Sequence, residues 1–415
     1  MKGYMEQGMI ENSGRITNRL LNTLLHRQTD LDDIRLRTMT DMVEREGTAY
    51  CEYQVSHANQ VLTGHGWNAD TLLPLPGTIP NPRYGVDPGD TTGFHAQIAD
   101  LIADVNSRRD ADARIPSEAA APYEAEQDSS RVVMVSFDGV SSKRQKDHRV
   151  PRKKNEGNPF THDTNDGPAD YSRAPDPRKR PKVETAVAHI EADGLKYVFA
   201  GRNMFETFRF VLAFLLESNL LVDRKLVFFT DGGKDIKACI ERIFAFCPFT
   251  VVLDWFHLKK YCCELLSMAL TGGKANRDMQ YTVKRRLFHI LWAGNVESAK
   301  LYLESLDKKW IKSETYLQEL IKYLDRKSYC IACYVVRQKL GLRISSNKVE
   351  KANDMLVSSR QKGDSMSWSR EGSWALANVT AMYLNHEDEA FHTVHKLAYQ
   401  MYRNYGNVFD LKLTA

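Results

Sequence analysis

The chain has 415 residues, 42% of them hydrophobic and 27% charged, which allows a sizeable core in two or three domains and excludes a disordered or fibrous chain. No apolar run approaches the roughly 20 residues of a membrane span; the longest is residues 210–216. The opening MKGYMEQGMIENSG lacks an apolar signal core. Seven irregularly spaced cysteines read as free thiols in a reducing compartment, so a cytoplasmic protein with no membrane partner is expected.

In chain order, residues 1–66 show helical spacing, with Ile16, Leu20, Leu21, Leu24 and Leu25 on one stripe and a second helix expected over residues 31–43. Residues 67–92 are loop-like (PLPG, IPNP, DPGD), and a short helix over 96–105 leads into an acidic, Ala- and Pro-containing linker with a boundary near residue 128. RVVMVSFD is a β-rich run ending in an acid, followed by a long polar, basic excursion over 141–182. VETAVAHIEADGLKYVFAG reads as a hairpin about Asp193-Gly194. A helix over 203–220, a buried strand KLVFFTDGG, a helix over 234–246 and a second buried strand PFTVVLDWFH follow. Residues 258–344 read as helices alone, after which Ser346 and Asn347 cap a helix carrying Glu350, and two last helices end near Tyr405. The pattern predicts an α/β fold with a mixed sheet. It divides into an acidic helical region and linker (1–128), the first part of a core (129–257), an all-helical insertion (258–344) and the completion of the core with C-terminal helices (345–415).

The net charge of +4 hides an asymmetry. Residues 1–130 carry 11 Lys and Arg against 20 Asp and Glu, and the remainder carries 46 against 33. The excess concentrates in 131–182, with 13 against 7, and in 255–345, with 17 against 8. A basic body behind an acidic front points to a polyanion partner, although charge runs are also ordinary solvated surface.

Three acids stand at informative places. Asp138 is expected at the end of the first strand, Asp231 at the end of the fourth, and Glu350 in the first turn of a late helix. Neighbouring strand ends would bring two carboxylates together and the helix would add the third. Such oxygen ligands suit Mg²⁺, and a pair of ions can serve both the attacking and the leaving oxygen of an in-line phosphoryl transfer. Each acid also has a plain structural reading: Asp-Gly is a common turn dipeptide, and Glu350 stands three residues after Asn347, the spacing of a capping pair.

SFDGVSSKRQK, FFTDGGKDIKACIERIF, VVLDWFHLKK and SSNKVEKANDMLVSSRQKGDSMSWSREGSWALANVTAMYLN resemble bacterial insertion-sequence transposases, specifically the ISLre-type DDE group related to Mutator-like enzymes. The resemblance covers about residues 131–385, and its last block is the most specific. It implies a ribonuclease H-like catalytic domain with a large helical insertion, catalytic and metal-binding acids at Asp138, Asp231 and Glu350, and two Mg²⁺ (or Mn²⁺) ions. It further implies double-stranded DNA as substrate, at element ends and target, and a homodimer or larger synaptic assembly associated with the nucleoid. The separation of Asp231 from Glu350 by 119 positions accommodates such an insertion. Two features depart from the pattern: about forty residues separate the first two strands, and the N-terminal region is acidic where element ends are usually bound. The resemblance also places Asp254 and His257 of DWFH beside the site. Asp254 is the rival to Asp231, which is preferred because a ribonuclease H-like sheet takes its second acid from the fourth strand. His257 has a structural reading of equal weight. A nuclease without strand transfer and an inactive DNA-binding relic are the alternatives.

Candidate phosphate contacts are Lys143, Arg144 and Lys146, then Arg152, Lys153 and Lys154 on the same excursion, and Lys284, Arg285 and Arg286 on the insertion. Cys330 and Cys333 with Cys262 and Cys263 offer four thiols, but their helical spacing in apolar sequence favours buried free thiols over zinc. Trp368 and Trp374 are expected to pack against the last helices rather than stack on a base.

Overall fold

The computed structural model describes residues 6, 9–10, 17–19, 21–22, 35–86, 92–116, 131–145, 181–363, 366–394 and 396–405. The first complete helix, α1 (Leu36–Gly64), starts later than the expected 31–43 segment and runs far past Val43. Between Glu44 and Thr63 there is one glycine and no proline to stop it. Its buried residues Met39, Val43, Gly47, Tyr50, Gln54, Ala58 and Leu62 recur every three or four positions, a stripe that runs the length of the helix. A two-residue ladder pairs Trp67–Asn68 with Leu73–Pro74, and α2 (Thr92–Ser107) follows. The boundary near residue 128 lies outside the described residues.

Five strands form one mixed sheet: β1 (Val132–Lys143), β2 (Lys182–Ala192), β3 (Leu195–Gly201), β4 (Lys225–Thr230) and β5 (Phe249–Leu253). The order is β3-β2-β1-β4-β5, with β2 antiparallel to both β3 and β1, and β4 parallel to both β1 and β5. The expected hairpin turns at Asp193 and Gly194, both at positive φ (54° and 72°), the two-residue turn that suits the twist of its strands. β1 and β2 pair from Val133↔Ala192 to Lys143↔Lys182 although 38 residues separate their near ends. The crossover helices are α3 (Met204–Glu217), buried along most of its length and N-capped by Asn203, and α4 (Lys234–Ile243). Phe137, Phe199, Phe208, Phe214 and Phe228 form the centre of the core between sheet and α3.

After β5 the chain is helical: α5 (Trp255–Ala269), α6 (Arg277–Trp292), α7 (Val296–Glu304), α8 (Glu314–Lys327) and α9 (Tyr334–Lys339) pack about their own apolar centre. Then α10 (Asn347–Asn353) passes directly into a π turn, Asp354–Ser358, and α11 (Arg370–Leu384) and α12 (Asp388–Val394) close the fold. α11 packs against α1, so an N-terminal helix and a C-terminal one share a core of Met39, Val43, Tyr50, Val379 and Met382. The second of the two last helices stops at Val394 instead of near Tyr405. Residues 396–405 beyond it reach the open edge of the sheet at one bridge, where Lys196 N–H donates to Tyr402 O at 2.8 Å and Tyr402 N–H to Lys196 O at 3.2 Å. The edge strand is thereby paired at its turn-proximal end.

Candidate active site

β1 is longer than its parallel neighbour. Pairing with β4 ends at Ser136↔Phe229, whereas pairing with β2 continues to Lys143↔Lys182. Asp138 therefore lies within β1, not at its end as expected, two residues beyond the last rung shared with β4. Its side chain lies on the face of the sheet that carries Val140, against α10, where Asn353 reaches it; β4 stops at Thr230, and Asp231 begins a tight Gly-Gly loop. There Gly232 takes φ +89°, Asp231 Oδ1 accepts from Gly233 N–H at 2.8 Å, and Gly233 N-caps α4. Glu350 arrives in the first turn of α10 with a side chain 48% exposed, open to a ligand.

The electrostatics tie these groups together. Burial pushes the Asp138 carboxyl above its usual range, and the charges of Asp231 and Glu350 push it further, against the Gly139 N–H and His257. Gly139 N–H donates to Asp138 Oδ1 at 2.7 Å and Asn353 Nδ2 to Oδ2 at 2.6 Å. His257 Nδ1 stands 3.2 Å from Asp254 Oδ1 and 3.7 Å from Glu350 Oε1; it is buried with no well-aligned hydrogen bond, so these are ion-pair contacts. The Asp254 carboxylate, followed by the charges of Glu350 and Asp231, raises the imidazole above its usual range against the opposing effect of burial.

Asp254 belongs to a different layer. It is 1% exposed, caps α5 by accepting from His257 N–H at 2.7 Å, and accepts on its other oxygen from Ser346 N–H at 2.6 Å and Ser346 Oγ at 3.1 Å. Burial opposes its ionisation, but the bonds from His257 and Ser346 hold its carboxyl below the usual range. Asp254 thus latches the start of α5 to the residue that precedes α10. Ligand atoms of Asp254, His257 and Glu350 lie within 4.8 Å of one another, close enough to share a metal ion; Asp138 and Asp231 are not in that set and join the cluster through their charges. With both oxygens engaged, Asp254 has less to offer a ligand than Asp231, which lines an open cleft of about 740 Å³ beside His257. The other such group among the described residues, Glu6, Glu46 and His392, is knitted by hydrogen bonds from Tyr383 and His392 to Glu6.

The predicted cations fare differently. Lys143 and Arg144 are held at the end of β1, where Trp368 N–H donates to Lys143 O and Gln145 N–H to Trp368 O. Lys146, Arg152, Lys153 and Lys154 lie outside the described residues. Lys284, Arg285 and Arg286 do not form one patch, because consecutive helical residues turn by about 100°. Lys284 donates to Ser267 Oγ, Arg285 is exposed, and Arg286 is bound by Asp110 at 2.5 Å and by Asp112. Ser267 is also about 15 Å along α5 from His257 at helical rise. Cations that the sequence reading passed over, Lys237, Lys260, Arg326 and Lys327, line the cleft with Asp231. Lys237 is six residues after Asp231 and Lys260 one helical turn after His257, a local signal; Arg326 and Lys327 come from the far end of the insertion, which carries none.

Asn353 was passed over too, although it stands one helical turn from Glu350; Ser346 takes the expected cap position, but its hydroxyl donates to Asp254 instead of capping α10. The cysteines are free, and Cys262, Cys330 and Cys333 are buried, with burial pushing the Cys330 and Cys333 thiols up to about 11. Trp368 and Trp374 donate their indole N–H groups to Gln361 O and Glu184 O. Among the described residues no helix is long and apolar enough to cross a membrane. No protein-family model and no curated protein matches the chain.

Proposed function

We propose that this chain is a metal-dependent DNA transposase of the DDE type, built on a ribonuclease H-like sheet and akin to the ISLre-type group that its motifs resemble. One observation carries the reading. The charges of Asp231 at the end of β4 and of Glu350 in the first turn of α10 both bear on Asp138 in the interior of β1 and on His257, and Asn353, one turn after Glu350, bonds to Asp138 directly. The antiparallel β3-β2-β1 meander extended by parallel β4 and β5 supports it, as does the helical block between Asp231 and Glu350.

The donor set is suited to Mg²⁺ or Mn²⁺, which prefer carboxylate oxygen. Asp138 fits that role, because burial and two neighbouring carboxylates leave it short of positive charge. Asp138, Asp231 and Glu350 would hold the ions, which when bound lower the barrier to in-line attack at phosphorus. The chain's own residues prepare the site: Asn353 fixes one oxygen of Asp138, Asp254 latches α5 to the start of α10, and His257 stands against Glu350. In this reading water attacks the phosphodiester at an element end, and the freed 3′-hydroxyl then attacks target DNA. Two ends must meet, which requires a dimer or larger assembly.

The test uses the full chain, Mg²⁺ or Mn²⁺, and duplex DNA from both flanks of its gene, searched for the terminal inverted repeats that this reading requires. Metal-dependent nicking at the repeat ends followed by joining to a second duplex is the expected result. Cleavage without joining would reduce the reading to a nuclease, and no metal-dependent cleavage would remove it.

A further inference from the structure

The cleft beside Asp231 is larger than a carboxylate cluster needs. It lies between α4, α5 and α8, opens directly on Asp231 and His257, and encloses about 740 Å³. That is the size of a small-ligand site. Lys237, Lys260, Arg326 and Lys327 line it with the carboxylates Glu241 and Glu264; Lys237 is paired with Glu241 and Arg326 with Glu319, which leaves the exposed Lys260 as the cation open to a phosphate. Tyr261 and Tyr323 also line it, with ring centroids 4.2 Å apart and planes tilted by 39°. Tyr323 is buried, Tyr261 only partly so, which leaves Tyr261 as the ring available to a ligand. Lys327, itself buried, donates to the Gly232 carbonyl and so ties the floor of the cleft to the Asp231 loop.

A cation beside an aromatic platform suits single-stranded nucleic acid: a phosphate meets the charge and a base stacks on the ring. We infer that this cleft binds one or two unpaired deoxynucleotides next to the scissile phosphate, so that the duplex is opened where it is cut. The inference rests on reading the carboxylate cluster as a phosphoryl-transfer site on DNA, and binding is therefore measured without cleavage so that the two can fail separately.

The probe is a short single-stranded oligodeoxynucleotide carrying 2-aminopurine, with the corresponding duplex as reference, titrated against the full-length Asp138→Asn protein. The strand should bind with quenching of the 2-aminopurine. Adding Tyr261→Ala should weaken single-strand binding roughly tenfold and abolish the quenching, while duplex binding stays unchanged and Tyr261→Phe restores both. Adding Lys260→Ala should reduce the salt dependence of single-strand binding by about 0.7 in slope. Failure of the parent to bind the strand would overturn the inference, as would Tyr261→Ala weakening strand and duplex equally, or Tyr261→Phe failing to rescue. Metal-dependent cleavage of duplex DNA alongside any of these failures would leave the reading of the carboxylates standing.

Discussion

Asn353 donates its side-chain amide to Oδ2 of Asp138 at 2.6 Å, joining the helix that follows the helical block to a strand residue 215 positions earlier. Asn353 is one helical turn from Glu350, so one face of α10 supplies both the third carboxylate and the group that orients the first. The π turn begins at the next residue, where the extra residue re-aims the chain, a feature often found beside functional sites.

The bond predicts a measurable dependence. A hydrogen bond donated to a carboxylate favours its charged form, so Asn353→Ala should raise the Asp138 pKa further and weaken metal binding by about 10- to 100-fold, as outer-shell losses commonly do. Asn353→Asp, which adds a like charge beside Asp138, should be worse. Calorimetric titration with Mn²⁺ measures both; unchanged affinity in Asn353→Ala would show that the bond does not hold the carboxylate in its working position.

Asp138→Asn, Asp231→Asn and Glu350→Gln should each lower metal-dependent cleavage by about a thousandfold or more, several kcal/mol of barrier. None should lower the melting temperature of the metal-free protein, and Asp138→Asn should raise it, since it removes a buried charge that its neighbours repel. Asp254→Asn should behave differently: with three bonds accepted at a fully buried position, its loss should destabilise the protein. Normal activity in Asp231→Asn alongside a stable, inactive Asp254→Asn would reverse the assignment of the second acid.

The mixed α/β character was legible from apolar β runs and helical spacing, because those depend on neighbours along the chain. The position of Asp138 was not. FDGV reads as a strand end followed by a turn, yet β1 continues because β2 supplies a partner from beyond a long excursion, and such pairing leaves no local trace. The cleft was illegible for the same reason, since Arg326 and Lys327 come from the end of α8 while Asp231 follows β4. Conversely, KRR looked like one basic patch in the sequence, but helix geometry separates the three side chains.

Gly47 lies where α1 crosses α11, and a Cβ there would stand 2.1 Å from the Ala375 carbonyl oxygen. Alanine would ordinarily favour a helix by about 1 kcal/mol over glycine, but here two backbones would have to separate. Gly47→Ala should therefore cost about 1–3 kcal/mol, the range for overpacking, read from urea unfolding. A stabilised variant would show that the two helices do not approach this closely.

Glu387 is buried between two phenols, accepting from Tyr197 OH at 2.5 Å and Tyr50 OH at 2.8 Å, with Tyr399 N–H at 3.1 Å. Burial raises its pKa above 4.5 despite these three bonds. The folded chain thus holds this proton more tightly than the unfolded one. The associated stability is fully present below the unfolded pKa and is lost as pH rises through the higher folded value. Measured against Glu387→Gln, the wild-type chain should lose stability over that window and then level off. A difference independent of pH would mean that Glu387 titrates alike in both states.

Arg286 is held by Asp110 and Asp112, so acids of the N-terminal region occupy a cation on the helical insertion. These carboxylates belong to residues 1–130, which carry the acidic excess. Asp110→Asn with Asp112→Asn should release the guanidinium. If this face of α6 meets duplex DNA, the double variant should bind more tightly at low salt. Its affinity should also fall more steeply with salt, by up to about 0.9 in slope for the one added phosphate contact. Arg285→Ala should flatten the slope by a similar amount, because Arg285 is exposed. Surface ion pairs contribute little to stability, so neither variant should shift the unfolding midpoint enough to confuse the result. Binding titrations at several salt concentrations decide the matter: equal slopes for the wild type and both variants would place the duplex elsewhere on the protein and leave α6 as solvated surface.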